Sequence, residues 1–213
     1  MTYKNSKLIL LLSLVLSILA SCISIHSDFT YYKEKTFIFN SKDIKLNGIY
    51  YSAKSRDISD YPGFIYLYND GSIYCGWGEK EDVFWEDPNT YLNFLEKKFS
   101  EKGIAKSAFA EDWGSFIIRN DSIYIQEFYR NSEYWMLRNI ISLTGIIVND
   151  SIIEIHKENC SWCGNMYSGK WKNKTEIRYD SPIVYNLYQS SFKPDSTIAW
   201  FKQQSWYKEY LKQ

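Results

Sequence analysis

The stretch "LYNDGSIY", residues 67–74, places Asn-Asp-Gly between two apolar runs. Asn and Asp tolerate left-handed backbone conformations and Gly adopts them freely, so Asn-Asp-Gly between strands is a hairpin signal. The phrase returns as "IRNDSIYI" (118–125) and "IVNDSIIEI" (147–155), and "KPDSTIAW" (193–200) echoes it with proline for asparagine. The copies are irregularly spaced, which excludes a solenoid repeat. The sequence therefore predicts one kind of turn that is reused in successive β-hairpins.

Eight candidate strands surround these turns, and they are rich in the aromatic and β-branched residues that favour strands. They cover residues 45–52, 63–68, 72–77, 114–119, 122–130, 143–148, 151–157 and 183–190. In the strand 151–157, Ile153 and Ile155 alternate with Glu154 and His156, as expected when one face is buried. Short strands with close turns predict a mainly β fold, an antiparallel meander, barrel or sandwich.

Two helices are predicted beside the strands. The segment 86–103 has Asp87 as N-cap, Pro88 at the first helical position and Gly103 as its stop. This helix is inserted after the third strand. A second helix is predicted at the C-terminal end, over residues 196–211.

The first strand carries Gly48-Ile-Tyr50, which resembles the Gly-x-aromatic opening of lipocalin-type barrels, with Tyr where Trp is usual. The resemblance covers residues 45 to 190 and implies an eight-stranded lipocalin-like barrel. Barrels of this size can hold one small ligand. Because the strands predicted to face inward are dense in aromatic residues, Tyr50, Tyr66 and Trp113 are candidates to line the barrel mouth.

The N-terminal residues indicate export and lipidation. Lys4 and Lys7 precede an uncharged apolar run over residues 8–20, which is too short for a stable membrane span and typical of a signal peptide. The following "LASC" (19–22) resembles the lipobox of bacterial lipoproteins. That resemblance implies cleavage before Cys22, a diacylglycerol on its sulfur and an acylated, typically palmitoylated, amino terminus. Two or more acyl chains anchor a protein stably in a membrane.

The resemblance also predicts the location and the domains. In lipoproteins, Asp after the lipidated cysteine is a signal for retention in the inner membrane. Because Ile23 follows Cys22 here, we expect the outer membrane. The stretch "ISIHSDFTYYKEK" lacks the acidic run that directs some lipoproteins to the cell surface, which favours the periplasmic side. The chain is then divided into a signal peptide (1–21), a lipidated segment and linker (22–44) and one β-rich domain (45–213).

Composition narrows the possible partners. Loss of Lys4 and Lys7 with the signal peptide leaves 23 basic against 25 acidic residues, from 25 of each in the whole chain. This balance lacks the basic face of nucleic-acid-binding proteins and the polybasic patch that binds lipid headgroups. The acyl chains are therefore expected to supply the membrane attachment, and no cofactor is predicted.

The stretch "HKENCSWCGNMY" (156–167) holds two of the remaining cysteines. In an oxidising envelope, Cys75, Cys160 and Cys163 predict a disulfide that ties the loop after the strand 151–157, either within the close pair or to Cys75. A thiol redox pair of Cys160 and Cys163 is the first alternative, although no helical pattern follows it. A zinc site formed by His156, Cys160, Cys163 and Cys75 is the second.

The sequence shows no nucleophilic triad and no Gly-rich phosphate loop. It therefore favours a non-enzymatic, lipid-anchored binding protein for a small apolar or glycan ligand. One alternative is an envelope scaffold that binds a partner protein through an exposed strand edge. The other is a thiol oxidoreductase that uses Cys160 and Cys163.

Overall fold

A computed structural model of the chain describes residues 29–33, 44–52, 63–77, 89–90, 93, 97, 113–130, 138–161, 175–190 and 192–212. The chain forms two compact units, Met1–Thr30 and Tyr31–Gln213. The second unit contains the elements described below.

Eight antiparallel strands form a closed barrel, in which each strand pairs with the next along the chain and the last pairs with the first. They are β1 (Gly48–Ser52), β2 (Gly63–Leu67), β3 (Ser72–Trp77), β4 (Trp113–Arg119), β5 (Ser122–Arg130), β6 (Arg138–Asn149), β7 (Ile152–Ser161) and β8 (Thr175–Gln189). The predicted mainly β meander barrel is confirmed, and it fits the lipocalin-like architecture. All eight predicted strands are present, and β6, β7 and β8 are longer than predicted.

The two ends of the barrel differ in their connections. The tight turns between β2 and β3, β4 and β5, and β6 and β7 lie at one end, here called the turn end. The other end, the loop end, is where residues 53–62, 78–112, 131–137 and 162–174 connect the strands. Apart from Asn89, Thr90, Asn93 and Lys97, these residues lie outside the described residues. The recurring Asn-Asp phrases are thus gathered at one end of the molecule.

Each tight turn is also bonded to the strand that follows its hairpin. A backbone carbonyl of the turn accepts a hydrogen bond from that strand: Gly71 from Phe116 of β4 at 2.8 Å, Asp121 from Ile147 of β6 at 2.7 Å, and Ser151 from Leu187 of β8 at 2.8 Å. The first two turns use a left-handed residue, Gly71 (φ 76°) and Asn120 (φ 55°). The repeated phrase therefore forms the hairpins and joins each one to its neighbour.

The interior of the barrel is a continuous apolar core. Its buried members are Ile44, Tyr50, Ile65, Leu67, Ile73, Cys75, Phe116, Ile123, Ile125, Ile141, Leu143, Ile147, Ile153, Ile155, Ile183 and Tyr185. Every residue of β1 and β2 is buried, so the outer face of these strands is covered as well.

Two polar side chains close the core at the turn end. The Tyr50 hydroxyl donates to the carbonyls of Lys45 and Asp150 at 2.9 and 3.0 Å. Lys193, which follows β8, donates from Nζ to the carbonyls of Leu46 and Leu67 at 2.6 and 2.5 Å. Both side chains bond backbone carbonyls where strands begin or end, and the Asp150 carbonyl also accepts the backbone N–H of Lys45 at 3.0 Å.

Burial of Tyr50 and Lys193 at the turn end shifts the pKa values of both side chains. Burial, and more weakly the nearby Asp150 carboxylate, raise the pKa of Tyr50. Burial lowers the pKa of the Lys193 ammonium to about 8, although Asp70 partly opposes this shift. The ammonium also lies 4.3 Å from the centroid of the Tyr68 ring, a cation–π contact.

The two predicted helices have different outcomes. Of the helix predicted over 86–103, the described residues Asn89, Thr90, Asn93 and Lys97 are helical, and the remainder lies outside the described residues. The single helix predicted over 196–211 is wrong in detail. That segment forms 3₁₀ helices at Ser196–Ile198 and Trp200–Gln203, then an α-helix at Ser205–Tyr210. Extended backbone at Gln204 (ψ 147°) breaks the helical path and redirects the last helix.

This C-terminal segment packs on the outer wall. The Phe128 ring on β5 meets Trp200 with ring centroids 4.9 Å apart, and Phe201 is fully buried beside it. Lys202 bonds the Asp70 carboxylate at 2.5 Å, which ties the segment to the β2–β3 turn. Burial disfavours the Asp70 charge, but hydrogen bonds from Lys202 and Ser72 outweigh it and lower the pKa of Asp70.

Candidate binding site at the loop end

Two carboxylates face the interior near the loop end, Glu127 on β5 and Glu158 on β7. Residues directly opposite in an antiparallel pair share a face of the sheet. Glu127 is opposite Ile141, and Glu158 is opposite Leu143. Since Ile141 and Leu143 both belong to the core, the two glutamates are on the inner face of the barrel.

Glu127 is paired with a thiol in the core. Its Oε2 accepts a hydrogen bond from the Cys75 Sγ, and both residues are only 3% exposed. Burying a carboxyl group is costly unless it is hydrogen-bonded, and the Cys75 thiol supplies such a bond. Cys75, which the sequence assigned to a disulfide or a zinc ion, is here a thiol that supports a buried acid.

Glu158 has a different surrounding. The Tyr179 hydroxyl donates to its Oε2 at 2.7 Å. Ile177 on β8 is opposite Glu158, which places it on the inner face, and yet it is 41% exposed. The interior is therefore accessible here, beside a carboxylate, a phenol and an apolar side chain. Such a combination can hold an apolar group and direct a polar one.

The structure separates the three predicted lining residues. Tyr50 is inside the barrel, but its hydroxyl closes the turn end. Tyr66 and Trp113 are both opposite Tyr74, and Tyr66 alternates with the core residue Ile65. Tyr66 and Trp113 therefore lie on the outer face, fully buried, instead of lining the interior.

These outer-face aromatics form a cluster with their neighbours. The Tyr74 and Trp113 ring centroids are 4.9 Å apart, and those of Phe64 and Tyr74 are 5.5 Å apart. Tyr68 packs on Trp113 at 5.5 Å and its hydroxyl donates to the Pro194 carbonyl at 2.8 Å. These five aromatic side chains therefore pack on the outside of β2–β4 and do not line the interior.

Two of the four proposed zinc ligands, His156 and Cys75, lie on opposite faces of the wall. His156 is the extra residue of a bulge in β7, with Nε2 3.4 Å from Oε2 of Glu154. Glu154 is opposite the exposed Ile146, so this pair is on the outer face, whereas Cys75 is inside. Within the described residues, no three His, Cys, Asp or Glu side chains converge to hold a metal ion.

The other cysteines are described only in part. Cys160 belongs to β7 and pairs with Ile141 and Thr175, so it is in a strand rather than in the predicted loop. Its side chain, Cys22 and Cys163 lie outside the described residues. The disulfide, the thiol redox pair and the lipidation of Cys22 therefore stay predictions.

Sequence reasoning missed Glu127, Glu158 and Tyr179. A signal for Glu127 was present, because Ile123 and Ile125 of "SIYIQEFYR" alternate inward and the next inward position is Glu127. For Glu158 the signal was hidden, because the bulge at His156 changes the alternation midway along β7.

Comparison with protein-family models, with curated proteins and with solved structures finds no match to this chain. Across the described parts of the chain, no helix combines the length and the apolar character needed to cross a membrane.

Proposed function

We propose that the chain is a lipid-anchored lipoprotein of the bacterial envelope whose barrel binds a small, largely apolar or glycan ligand without catalysis. The lipobox "LASC" at residues 19–22 supports the anchor. Ile23 at the following position supports the outer membrane, with the barrel facing the periplasm. Binding takes place at the loop end, through the inner face around Ile177, Glu158 and Tyr179.

The observation that carries the binding proposal is the exposure of Ile177, an inward-facing side chain. Exposed apolar surface in a concave site is stabilised when a ligand displaces water from it. Glu158 and Tyr179 next to it offer a carboxylate and a phenol that can bond a ligand hydroxyl or amine. The turn end offers no comparable entrance, because Tyr50 and Lys193 bond the backbone there.

A matched pair of variants tests this site. Ile177 and Ile146 have similar exposures, 41% and 43%, but Ile177 is on the inner face and Ile146 on the outer face. Ile177→Trp should weaken binding of the apolar fluorophore N-phenyl-1-naphthylamine at least tenfold, whereas Ile146→Trp should leave it unchanged. Native mass spectrometry of protein from a periplasmic extract should show an organic adduct that only Ile177→Trp loses. Equal behaviour of the two variants, or the absence of binding in the parent, would contradict the proposal.

The alternatives have less support. Binding of a partner through a strand edge would have to use a segment such as the first half of β8, which among the described residues pairs with β7 but not with β1. Thiol chemistry would have to come from Cys160 and Cys163, and serine replacement of both tests it through reductase and isomerase assays.

A further inference from the structure

The C-terminal helix, Ser205–Tyr210, packs on the segment that leads to the lipidated end of the chain. The Tyr32 ring lies 5.2 Å from the rings of Trp206 and Tyr210 and 5.4 Å from that of Tyr207. The Tyr210 hydroxyl donates to the Lys33 carbonyl at 2.9 Å. The backbone N–H of Tyr31 donates to Gln126 Oε1 at 3.1 Å, which fixes this segment to β5. The segment Tyr31–Lys33 is therefore held at one defined place on the outer wall.

The surface at this place combines lysines with an exposed apolar side chain. Lys33, Lys208 and Lys212 are exposed, and Leu211 is 65% exposed, more than any other large apolar residue described. Glu209 is the one acidic side chain exposed within the helix and its last turn. Trp206, Tyr207 and Tyr210 are half-buried beneath them. Three lysines against one glutamate contrast with the slight acidic excess of the lipidated chain.

Chain length places this surface near the lipid. Nine residue steps separate Tyr31 from Cys22. A fully extended chain covers about 3.4 Å per step, so Tyr31 stays within about 30 Å of an acylated Cys22. A tether of this length keeps the surface at a high effective concentration next to the bilayer.

We propose that Lys33, Lys208, Leu211 and Lys212 form a second membrane contact that docks the wall of the barrel on an anionic phospholipid surface. This inference rests on the proposed anchoring at Cys22. Lysines are attracted to anionic headgroups, and tyrosine and tryptophan favour the interface between headgroups and hydrocarbon. Leu211 enters the upper part of the hydrocarbon. The contact orients the barrel with the β5 side toward the bilayer.

The test uses the full lipidated protein on vesicles of phosphatidylethanolamine and phosphatidylglycerol, with lysine acetylation followed by mass spectrometry. Lys33, Lys208 and Lys212 should react at least threefold more slowly on vesicles than in the unlipidated chain of residues 23–213. Lys157, on the outer face of β7, is the internal control and should react equally in both. If Lys33, Lys208 and Lys212 react as fast on vesicles as in the unlipidated chain, the proposed contact is overturned.

A variant separates this contact from the anchor. Lys208→Glu combined with Leu211→Ser and Lys212→Glu changes only exposed side chains, so its thermal midpoint should match that of the parent. The variant should still float with the vesicles through its acyl chains, but Lys33 should lose its protection. Protection of Lys33 that survives in the variant would overturn the proposed contact. Failure of the parent to float would instead contradict the anchoring at Cys22.

Discussion

At the scale of single residues, the turn end depends on polar groups that serve the backbone. Tyr50 and Lys193 each reach two carbonyl oxygens where strands begin or end. A buried carbonyl left without a donor costs about 1–3 kcal/mol. These two residues therefore matter for stability, and their shifted pKa values give the stability a dependence on pH.

Tyr50→Phe removes a hydroxyl that serves two carbonyls, so it should lower the free energy of unfolding by about 1–3 kcal/mol at pH 7. Because the pKa of Tyr50 is raised on folding, its contribution is complete below pH 10 and is lost as the pH rises beyond that value. Guanidinium unfolding at pH 8 and pH 11 should show a smaller alkaline loss in the variant. Tyr124→Phe, on the outer wall, is the control and should cost under about 0.5 kcal/mol at pH 7.

Lys193 gives the opposite dependence. Its pKa is about 8 in the folded chain against 10.5 in the reference state, so between these values the unfolded chain binds more protons. Stability should therefore rise with pH in this window. Relative to Lys193→Met, the wild-type protein should gain on the order of 1 kcal/mol between pH 7.5 and 9.5. Chemical unfolding across this range measures the gain, and a constant difference between the two proteins would refute it.

At the scale of elements, three similar phrases form turns of different geometry. The β2–β3 turn has its left-handed residue at Gly71 and the β4–β5 turn has it at Asn120. In the β6–β7 turn, Asn149 instead accepts a hydrogen bond from the backbone of Ser151 at 2.9 Å. The Asn of the phrase thus acts through its backbone in one turn and through its side chain in another.

Substitution of the two asparagines should reveal this difference. Asn120→Ala should cost about 1 kcal/mol, because alanine is strained at a φ of 55°, and Asn120→Gly should be close to neutral. Asn149→Ala and Asn149→Gly should both lower stability by about 0.5–1.5 kcal/mol, because each removes the side-chain acceptor. Urea unfolding of the four variants measures these changes in stability. A rescue by glycine at both positions would show that the turns are alike.

The strands could be predicted from the sequence, but the faces of some strands could not. Asn-Asp turns mark where the strands meet at the turn end, but β6, β7 and β8 extend further toward the loop end than the alternation predicted. In β2 both faces are apolar and buried, so Ile65 and Tyr66 look equally suited to the interior. That is why Tyr66 was expected inside the barrel. The loop-end site needed the register, since Ile177 and Glu158 come from different strands.

At the scale of the whole molecule, closure depends on the seam between β1 and β8. Gly48 is opposite Gln189, and a Cβ added at Gly48 would lie 2.4 Å from the Tyr188 carbonyl oxygen. The contact is with backbone, which cannot move aside without shifting the strand. The glycine that carried the lipocalin resemblance therefore lies where the first and last strands approach each other closely.

Gly48→Ala should lower the free energy of unfolding by about 2 kcal/mol and increase amide exchange in β1 and β8. Gly63→Ala is the matched control, because its added Cβ would first meet the Tyr185 hydroxyl, the end of a side chain. We expect a smaller loss in the control, and no local rise in exchange at the seam. Exchange mass spectrometry with thermal unfolding tests both variants.

All three tight turns lie at one end of the barrel, and the four longer connections lie at the other. The two sets of connections are therefore under different constraints on their length. Each tight turn bonds the strand that follows its hairpin, so a change in the length of the turn would misalign both the hairpin and that strand. Because strand pairing and these turns set the register of the wall, we expect it to tolerate changes in the length of the four connections at the opposite end. We therefore expect that these connections can be replaced, in evolution or in a library of grafted loops. Such replacements would change the binding specificity and leave the barrel unchanged.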